Sequence, residues 1–200
     1  NELKDPNAYN PERSKQLLAE DGWKDTDGDG ILDKDGKPLT FNFIVYNSRA
    51  ELPLYAEAVQ ADLKKVGIDM KIKTVDYNLI DKMGQDGDYD MLISNIVTAN
   101  TGDPIWFLAN YWHTNNNGSN PQNGSGYSNP QVDQLLDAAE TEFDPAKRRD
   151  YAMQIQQLLM NDGAALFLGY PKTNIVTGSY LKGAVMYPSD YYWITNKITK

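Results

Sequence analysis

One stretch constrains this chain more than any other. Residues 89–113 run from an Asp/Gly-rich entry, through the nearly continuous apolar positions Met91 to Ile96 and a polar segment at 98–103, into Pro104 and an aromatic-rich helix. A short apolar run with polar bounds is the pattern of a strand covered on both faces, so Met91 to Ile96 is expected as a buried central strand. Pro104 suits the first helical position, where no N–H is needed, and Asp103 suits the N-cap. Strand, polar loop and helix start therefore follow one another. In open α/β sheets that is where small ligands bind, beyond the carboxyl ends of strands and near the free N–H groups of a helix start.

The remaining elements can be read around this one. Asn10, Pro11, Glu12 and Gly22 carry the start and stop signals of a short helix. Thr40 to Tyr46 reads as a strand. Leu52 to Val66 reads as a helix with an apolar stripe at 52, 55, 56, 59, 63 and 66, ended by Gly67. Ile68 to Thr74 alternates as a half-buried strand does, giving a right-handed βαβ unit with parallel strands. Tyr77 to Met83 is a further short helix. Residues 115–126 form a long polar loop of the length usually found in functional lids or mobile segments. Pro130 to Phe143, burying Val132, Leu135, Leu136, Ala139 and Phe143, and a longer helix opened by Asp144 and Pro145, carrying Ala152, Ile155 and Leu159, are expected to cover the sheet. Ala164 to Gly169 and Asn174 to Thr177 are expected as strands, and Val185 to Ile198 as an irregular tail. The fold class is α/β, a mixed sheet flanked by helices.

Composition narrows the chemistry. A chain of 200 residues with 40% hydrophobic content buries one good core. A net charge of −9 leaves no basic face for nucleic acid or an anionic membrane. The absence of cysteine removes disulfides, thiolate metal sites and a cysteine nucleophile. His113 is the single histidine, and no Gly-x-Ser-x-Gly elbow accompanies it. Gly28-Asp-Gly30 sits among carboxylates that repel phosphate. Asp86, Asp88 and Asp90 read as a solvated turn rather than a glycosidase pair. No nucleophile, base and orienting group converge, so a binding protein is expected and not an enzyme. The start at Asn1, close to a helix, is expected of a piece of something longer.

The acidic run from Asp25 to Gly36 has two readings. Asp25, Asp27 and Asp29, the turn residue Gly30 and the Ile31 carbonyl follow the first half of a calcium loop, whose hard oxygen ligands alternate along the chain. Gly36 stands where such a loop places its bidentate Glu, with Asp33 or Asp35 as a substitute. The other reading is a solvated hairpin turn built from Asp-Gly pairs. No cofactor is required in either case; structural calcium belongs to the first, which also allows a calcium-stabilised extracellular binding module, adhesive or carbohydrate-associated, as an alternative function.

Several stretches resemble the extracellular solute-binding proteins of peptide- and nickel-type ABC importers. They are Asn10-Pro-Glu-Arg-Ser-Lys-Gln-Leu-Leu-Ala-Glu-Asp-Gly-Trp23, Ala56-Glu-Ala-Val-Gln-Ala-Asp-Leu-Lys-Lys-Val-Gly-Ile68, Tyr89-Asp90, Gly102-Asp-Pro104 before Phe107-Leu108, and Gly126-Tyr-Ser-Asn-Pro-Gln-Val-Asp133. They occur in family order. The resemblance implies a lobe of the type II periplasmic-binding-protein kind, with 1–200 as the second lobe of a two-lobe receptor and 178–200 returning toward the first. It further implies a monomer outside the cytoplasm, periplasmic or lipid-anchored at the cell surface, delivering a peptide or metal chelate to membrane permease subunits.

The same resemblance supplies site residues. Peptide binders carry an Asp four residues before the loop proline, facing the peptide amino terminus; Asn100 stands there, able to accept a hydrogen bond but bringing no charge. Nickel-type members carry Trp and Tyr in the loop and a His beyond the next helix. Here Thr98 and Gly102 occupy the loop positions, and His113 falls a few residues early. Thr101 belongs to the same loop, and Arg49, in Ser48-Arg-Ala-Glu-Leu-Pro53, to a segment nearer the nickel-type relatives, as is Pro171 to Val176. Trp106 and Trp112 are candidates to stack on a ligand, whereas Phe107 and Tyr111, four apart, are expected to pack on each other.

Overall fold

The structure is a computed structural model that describes residues 2–87, 89–98, 102–172, 174–186 and 194–200, with the side chain of Gln85 left aside. Helix α1 (Pro11–Glu20) begins as its signals require, the Asn10 side chain accepting the Arg13 N–H at 3.0 Å. A two-stranded antiparallel hairpin, β1 (Asp33–Lys34) and β2 (Lys37–Pro38), follows. Its turn residues Asp35 and Gly36 both have positive φ, the backbone a tight hairpin needs and an Asp-Gly pair adopts readily.

Strand β3 (Thr40–Tyr46) pairs in parallel with β4 (Asp69–Val75), and helix α2 (Glu51–Lys64) crosses between them. The α2 stripe packs on both strands. Gly67 closes the unit at φ +85, and a Cβ there would lie 2.6 Å from the Leu32 side chain, so both backbone and space demand glycine. A 3-10 turn (Tyr77–Leu79) leads into α3 (Ile80–Asp86), and β5 (Met91–Leu92) then joins the other edge of β3, also in parallel.

The sheet order is therefore β4-β3-β5, which corrects the expectation for the apolar run. It supplies a two-residue edge strand among the described residues, while β3 is the central strand, with Phe43, Ile44, Val45 and Tyr46 all buried. Each fully buried side chain of that size contributes about 1.5–3 kcal/mol.

A second unit is all helical. Helices α4 (Pro104–Trp112), α5 (Pro130–Thr141) and α6 (Pro145–Asn161) each start with Pro behind a capping side chain, Asp103, Asn129 and Asp144 in turn. Their stripes meet one another: Ile105, Leu108, Val132, Leu136, Ala139, Ala152, Ile155 and Leu159 form a core separate from that of the sheet. So α5 and α6, expected to cover the sheet, instead build a helical core with α4. Phe143, expected inside, is 93% exposed, because α5 ends two residues before it. The N-terminal segment docks on α6 through Lys4 and Gln157, whose backbone and side-chain amide groups exchange two hydrogen bonds of 2.8 Å.

Residues 164–169 and 174–177 form no strand; the first carries exposed Leu166 and Phe167 with no described strand to pair. Of the expected irregular tail, residues 187–193 lie outside the described residues; 185–186 and 194–198 form no helix or strand, and one antiparallel bridge joins Lys182 to Thr199. No helix among the described residues is long and apolar enough to cross a membrane.

Candidate functional site

The parallel strands β3 and β5 end on one edge, and the expected site begins there. Tyr46, the last residue of β3, is 1% exposed, its ring edge-on to Tyr77 at 5.0 Å between centroids. Its hydroxyl accepts the backbone N–H of Asn95 at 3.0 Å, and the Asn95 amide donates to Glu51 Oε1 at 3.2 Å. The chain leaving β5 is thus tied to the end of β3 and to the first turn of α2. Neither Asn95 nor Glu51 stood out in the sequence, although a polar Asn inside an apolar run was a visible signal.

Arg49 lies in the bend between β3 and α2, exposed, its carbonyl accepting the Leu52 N–H at 3.2 Å. Thr98 is half-buried in the segment leaving β5. Asn100 and Thr101 lie outside the described residues. Gly102 turns at φ +77 immediately before the Asp103 cap, whose Oδ1 accepts the Ile105 N–H at 3.0 Å. Arg148, unremarked in the sequence, reaches from α6 to Asp103 Oδ2.

A groove of about 500 Å³ follows one face of α4, lined by Asp103, Trp106, Asn110, His113, Asn120, Glu140 and Arg148 among others. It brings Trp106 and His113 together; Arg49, Thr98 and Gly102 are not part of its lining. A smaller hollow, about 370 Å³, sits on the sheet between Asn42, Lys73, Tyr89 and Asp90 and contains none of the expected ligand residues. Trp112, expected on a cleft wall, is a core residue: it is 7% exposed and stands edge-on to Tyr127. It falls on the same side of α4 as Leu108 and Ile105, one and two turns back. Phe107 and Tyr111 pack on each other, as expected, at 5.2 Å.

His113 is the C-cap of α4. Its Nε2 lies 3.2 Å from Asp137 Oδ1, and its Nδ1 3.3 Å from the Thr114 carbonyl and 3.7 Å from Asp133 Oδ1. Partial burial opposes a charge on the ring, but the Thr114 carbonyl, the Asp137 hydrogen bond and the charges of Asp133 and Asp137 outweigh it and raise the imidazole pKa. Both nitrogens are engaged, so a ligand metal would have to displace the Asp137 contact.

Several hydrogen bonds tie the long polar loop to its surroundings. Asn123, buried, donates from its side-chain amide to the His113 and Tyr127 carbonyls at 3.0 and 2.8 Å. Asn120 donates to the His113 carbonyl at 2.7 Å, and Tyr89 donates from its hydroxyl to the Gly124 carbonyl. Tyr127 donates to Asp162 at 2.6 Å; burial first, then the Asp162 carboxylate, pushes its phenol up to about 12.

Carboxylate oxygens of Asp25, Asp27 and Asp29 lie within 4.8 Å of one another. Each also accepts local backbone N–H groups: Asp25 from Gly28 and Gly30 at 2.7 and 3.0 Å, Asp27 from Asp29 at 3.1 Å, Asp29 from Ile31 at 2.7 Å. Asp33 is turned away to the Thr26 N–H and hydroxyl at 3.2 and 3.1 Å, outside the three-carboxylate group. Of the other acidic cluster, read as a solvated turn, Asp86 closes α3 and pairs with Lys82 one turn back, Asp90 accepts from the backbone and side-chain N–H groups of Asn42 on β3, and Asp88 lies outside the described residues.

The family model described as bacterial extracellular solute-binding proteins, family 5, middle region, matches residues 1–119. The chain belongs to this family. Its family 5 relatives include the oligopeptide-binding protein AppA of Bacillus subtilis, 31% identical over 187 residues that cover 90% of this chain and 33% of that protein. The AppA structure in complex with a nonapeptide matches with a TM-score of 0.70 and 29% identity over 82% of this chain and 32% of the other. Brucella suis NikA, solved with Fe(III)-EDTA, matches at a TM-score of 0.67 and 28% identity, covering 80% of this chain and 32% of that one. The nickel-binding protein NikA of Staphylococcus aureus is 25% identical over 95% of this chain and 36% of its own length. The chain therefore spans about a third of the length of the relatives it matches. Family 5 proteins are extracellular binders of solutes rather than enzymes, and the type II periplasmic-binding-protein fold accompanies the family.

Proposed function

We propose that this chain is one lobe of the solute receptor of an ABC importer, closing on a small solute together with a first lobe supplied by the rest of the parent protein. The observation that carries this reading is the edge at which β3 and β5 end: Tyr46, Asn95 and Glu51 hold the departing chain there, and the capped start of α4 follows it. The solute is an oligopeptide or a metal chelate, two of the ligand classes carried by the relatives' names. Arg49, Thr98, Asn100, Thr101, Gly102, Trp106 and His113 are the residues proposed to face it, with His113 giving up Asp137 where the cargo is a nickel chelate.

The apolar strip at 164–176 supports a missing lobe. Leu166, Phe167, Tyr170 and Val176 are exposed in succession, a run that costs burial energy in water and suits a partner surface. Residues 178–200 are the proposed return toward that first lobe. Monomeric action, a lipid anchor and delivery to permease subunits belong to the same proposal. Mass spectrometry of ligand co-purified with the full-length parent tests it: a bound peptide or chelate is expected, and a polysaccharide or nothing retained by a demonstrably closed receptor would overturn it.

A further inference from the structure

Residues 93–98 leave the sheet and Gly102 and Asp103 lead into α4; with residues 99–101, which lie outside the described residues, they carry most of the proposed ligand residues. The first of these stretches is held from the sheet side by Tyr46 and Glu51. We infer that Arg148 fixes Asp103 at the start of α4 and is a positioning residue for Gly102 and Trp106 on either side of that start, an inference that rests on the function proposed above.

The geometry is a three-way tie. From the first turn of α6, Arg148 donates through Nη2 to Asp103 Oδ2, and through Nη1 to the carbonyls of Ala139 and, at 2.9 Å, Glu142. Those two carbonyls lie at the C-terminal end of α5, where Glu142 leaves the helix in an extended conformation and the last acceptors lack helical donors. Asp103 meanwhile spends Oδ1 on the N–H of Ile105. One guanidinium thus joins the start of α4, the end of α5 and its own helix.

A planar fork is needed for this. The two nitrogens reach acceptors on different elements at fixed divergence, which a single ammonium does not reproduce. Both partners are shielded, with side-chain exposures of 23% for Arg148 and 38% for Asp103, so the pair is less screened than an open surface ion pair. Arg148 also offsets the Asp103 charge where α4 begins. Gly102, one residue earlier, bends with positive φ directly against the Asp103 cap.

The test uses the full-length parent carrying Arg148→Lys, Arg148→Ala, or Arg149→Ala as an exposed neighbouring control, with two probes: a nonapeptide and nickel bis-histidine. Hydrogen exchange is read without ligand. Arg148→Lys is expected to speed exchange at Gly102, Ile105 and Trp106 at least several-fold while β3 and β4 stay protected, and Arg149→Ala to change nothing. For whichever probe the wild type binds, Arg148→Lys is expected to raise the dissociation rate about tenfold with little change in association. Unchanged exchange at the start of α4, or an equal rise across the whole chain, overturns the positioning role. Binding of neither probe by wild type counts against the proposed cargo classes, while the exchange result still decides Arg148.

Discussion

The hydroxyl of Tyr46 and the backbone N–H of Asn95, 49 residues apart in sequence, form a 3.0 Å hydrogen bond that joins the end of the central strand to the chain leaving its neighbour. This one contact turns a strand end into a fixed loop entrance. Tyr46→Phe keeps the buried ring and removes the acceptor, so it is expected to cost about 1 kcal/mol, with faster exchange at Asn95 and its neighbours. Urea denaturation and amide exchange check it; wild-type values in both would remove Tyr46 from the loop's support.

The two cores make separate demands. Leu136 is fully buried among α4, α5 and α6, and Leu136→Ala is expected to cost about 2–5 kcal/mol. Protection should fall chiefly in the helical unit, with β3 and β4 less affected. An equal loss in both, measured by exchange at low denaturant, would mean that the two units open as one.

Local signals were legible in this sequence and partner choice was not. Asn10, Asp103 and Asp144, each followed by Pro, marked three helix starts to the residue, because capping is settled within one turn. Thr40 to Tyr46 was equally plain as a strand, and the parallel βαβ pairing followed from it. What failed was long-range. Met91 to Ile96 has the composition of a central strand, but hydrophobicity cannot say which of two apolar strands lies between the others. Leu166 and Phe167 look like strand residues for the same reason; no described strand pairs with them. The α5 and α6 stripes said that something is buried, without saying that α4 rather than the sheet receives them. In the site, Arg148 was invisible because two of its acceptors are backbone carbonyls, which leave no mark in sequence, and the third, the Asp103 carboxylate, lies far from it along the chain.

His113 gives the fold a pH dependence. Its pKa is raised from the ordinary 6.5, so the folded chain holds the proton more tightly than the unfolded one, despite the opposing cost of partial burial. The resulting stability is complete below the unfolded value and is lost as pH rises through the folded value. The melting-temperature difference between wild type and His113→Gln should therefore be larger near about pH 5.5 than near about pH 8. Asp137→Asn should shrink that dependence. A difference independent of pH would show that Asp133 and Asp137 do not stabilise the charged ring.

The aspartate loop separates turn chemistry from metal chemistry. Asp25 accepts two backbone N–H groups, so Asp25→Ala is expected to lower the melting temperature even in excess chelator. If the three carboxylates also take calcium, millimolar calcium raises the wild-type midpoint by mass action and leaves Asp25→Ala unmoved. A wild-type midpoint that is the same in calcium and chelator assigns the three side chains to the turns alone.

Half a cleft should bind poorly. A small ligand needs most of its surface covered, and this chain is proposed to supply one wall. Calorimetry with the ligand recovered from the full-length parent is expected to show at least a hundredfold weaker affinity for residues 1–200 alone, about 2.7 kcal/mol. Comparable affinities would place the whole site within this chain.

Gly124 is the quiet boundary between the two cores. Its own φ is unremarkable, yet a Cβ there would stand 3.1 Å from the Cα of Gly84 in α3 and 3.3 Å from the Gly84 carbonyl carbon. The constraint comes from across the gap rather than from the local turn: two bare backbones touch because neither carries a side chain. A single methyl at 124 would act as a shim, prising the loop behind α4 away from the helix beside the sheet by a few tenths of an ångström. In the proposed two-lobe receptor that shim would be felt at His113, whose carbonyl accepts from Asn123, the residue just before Gly124.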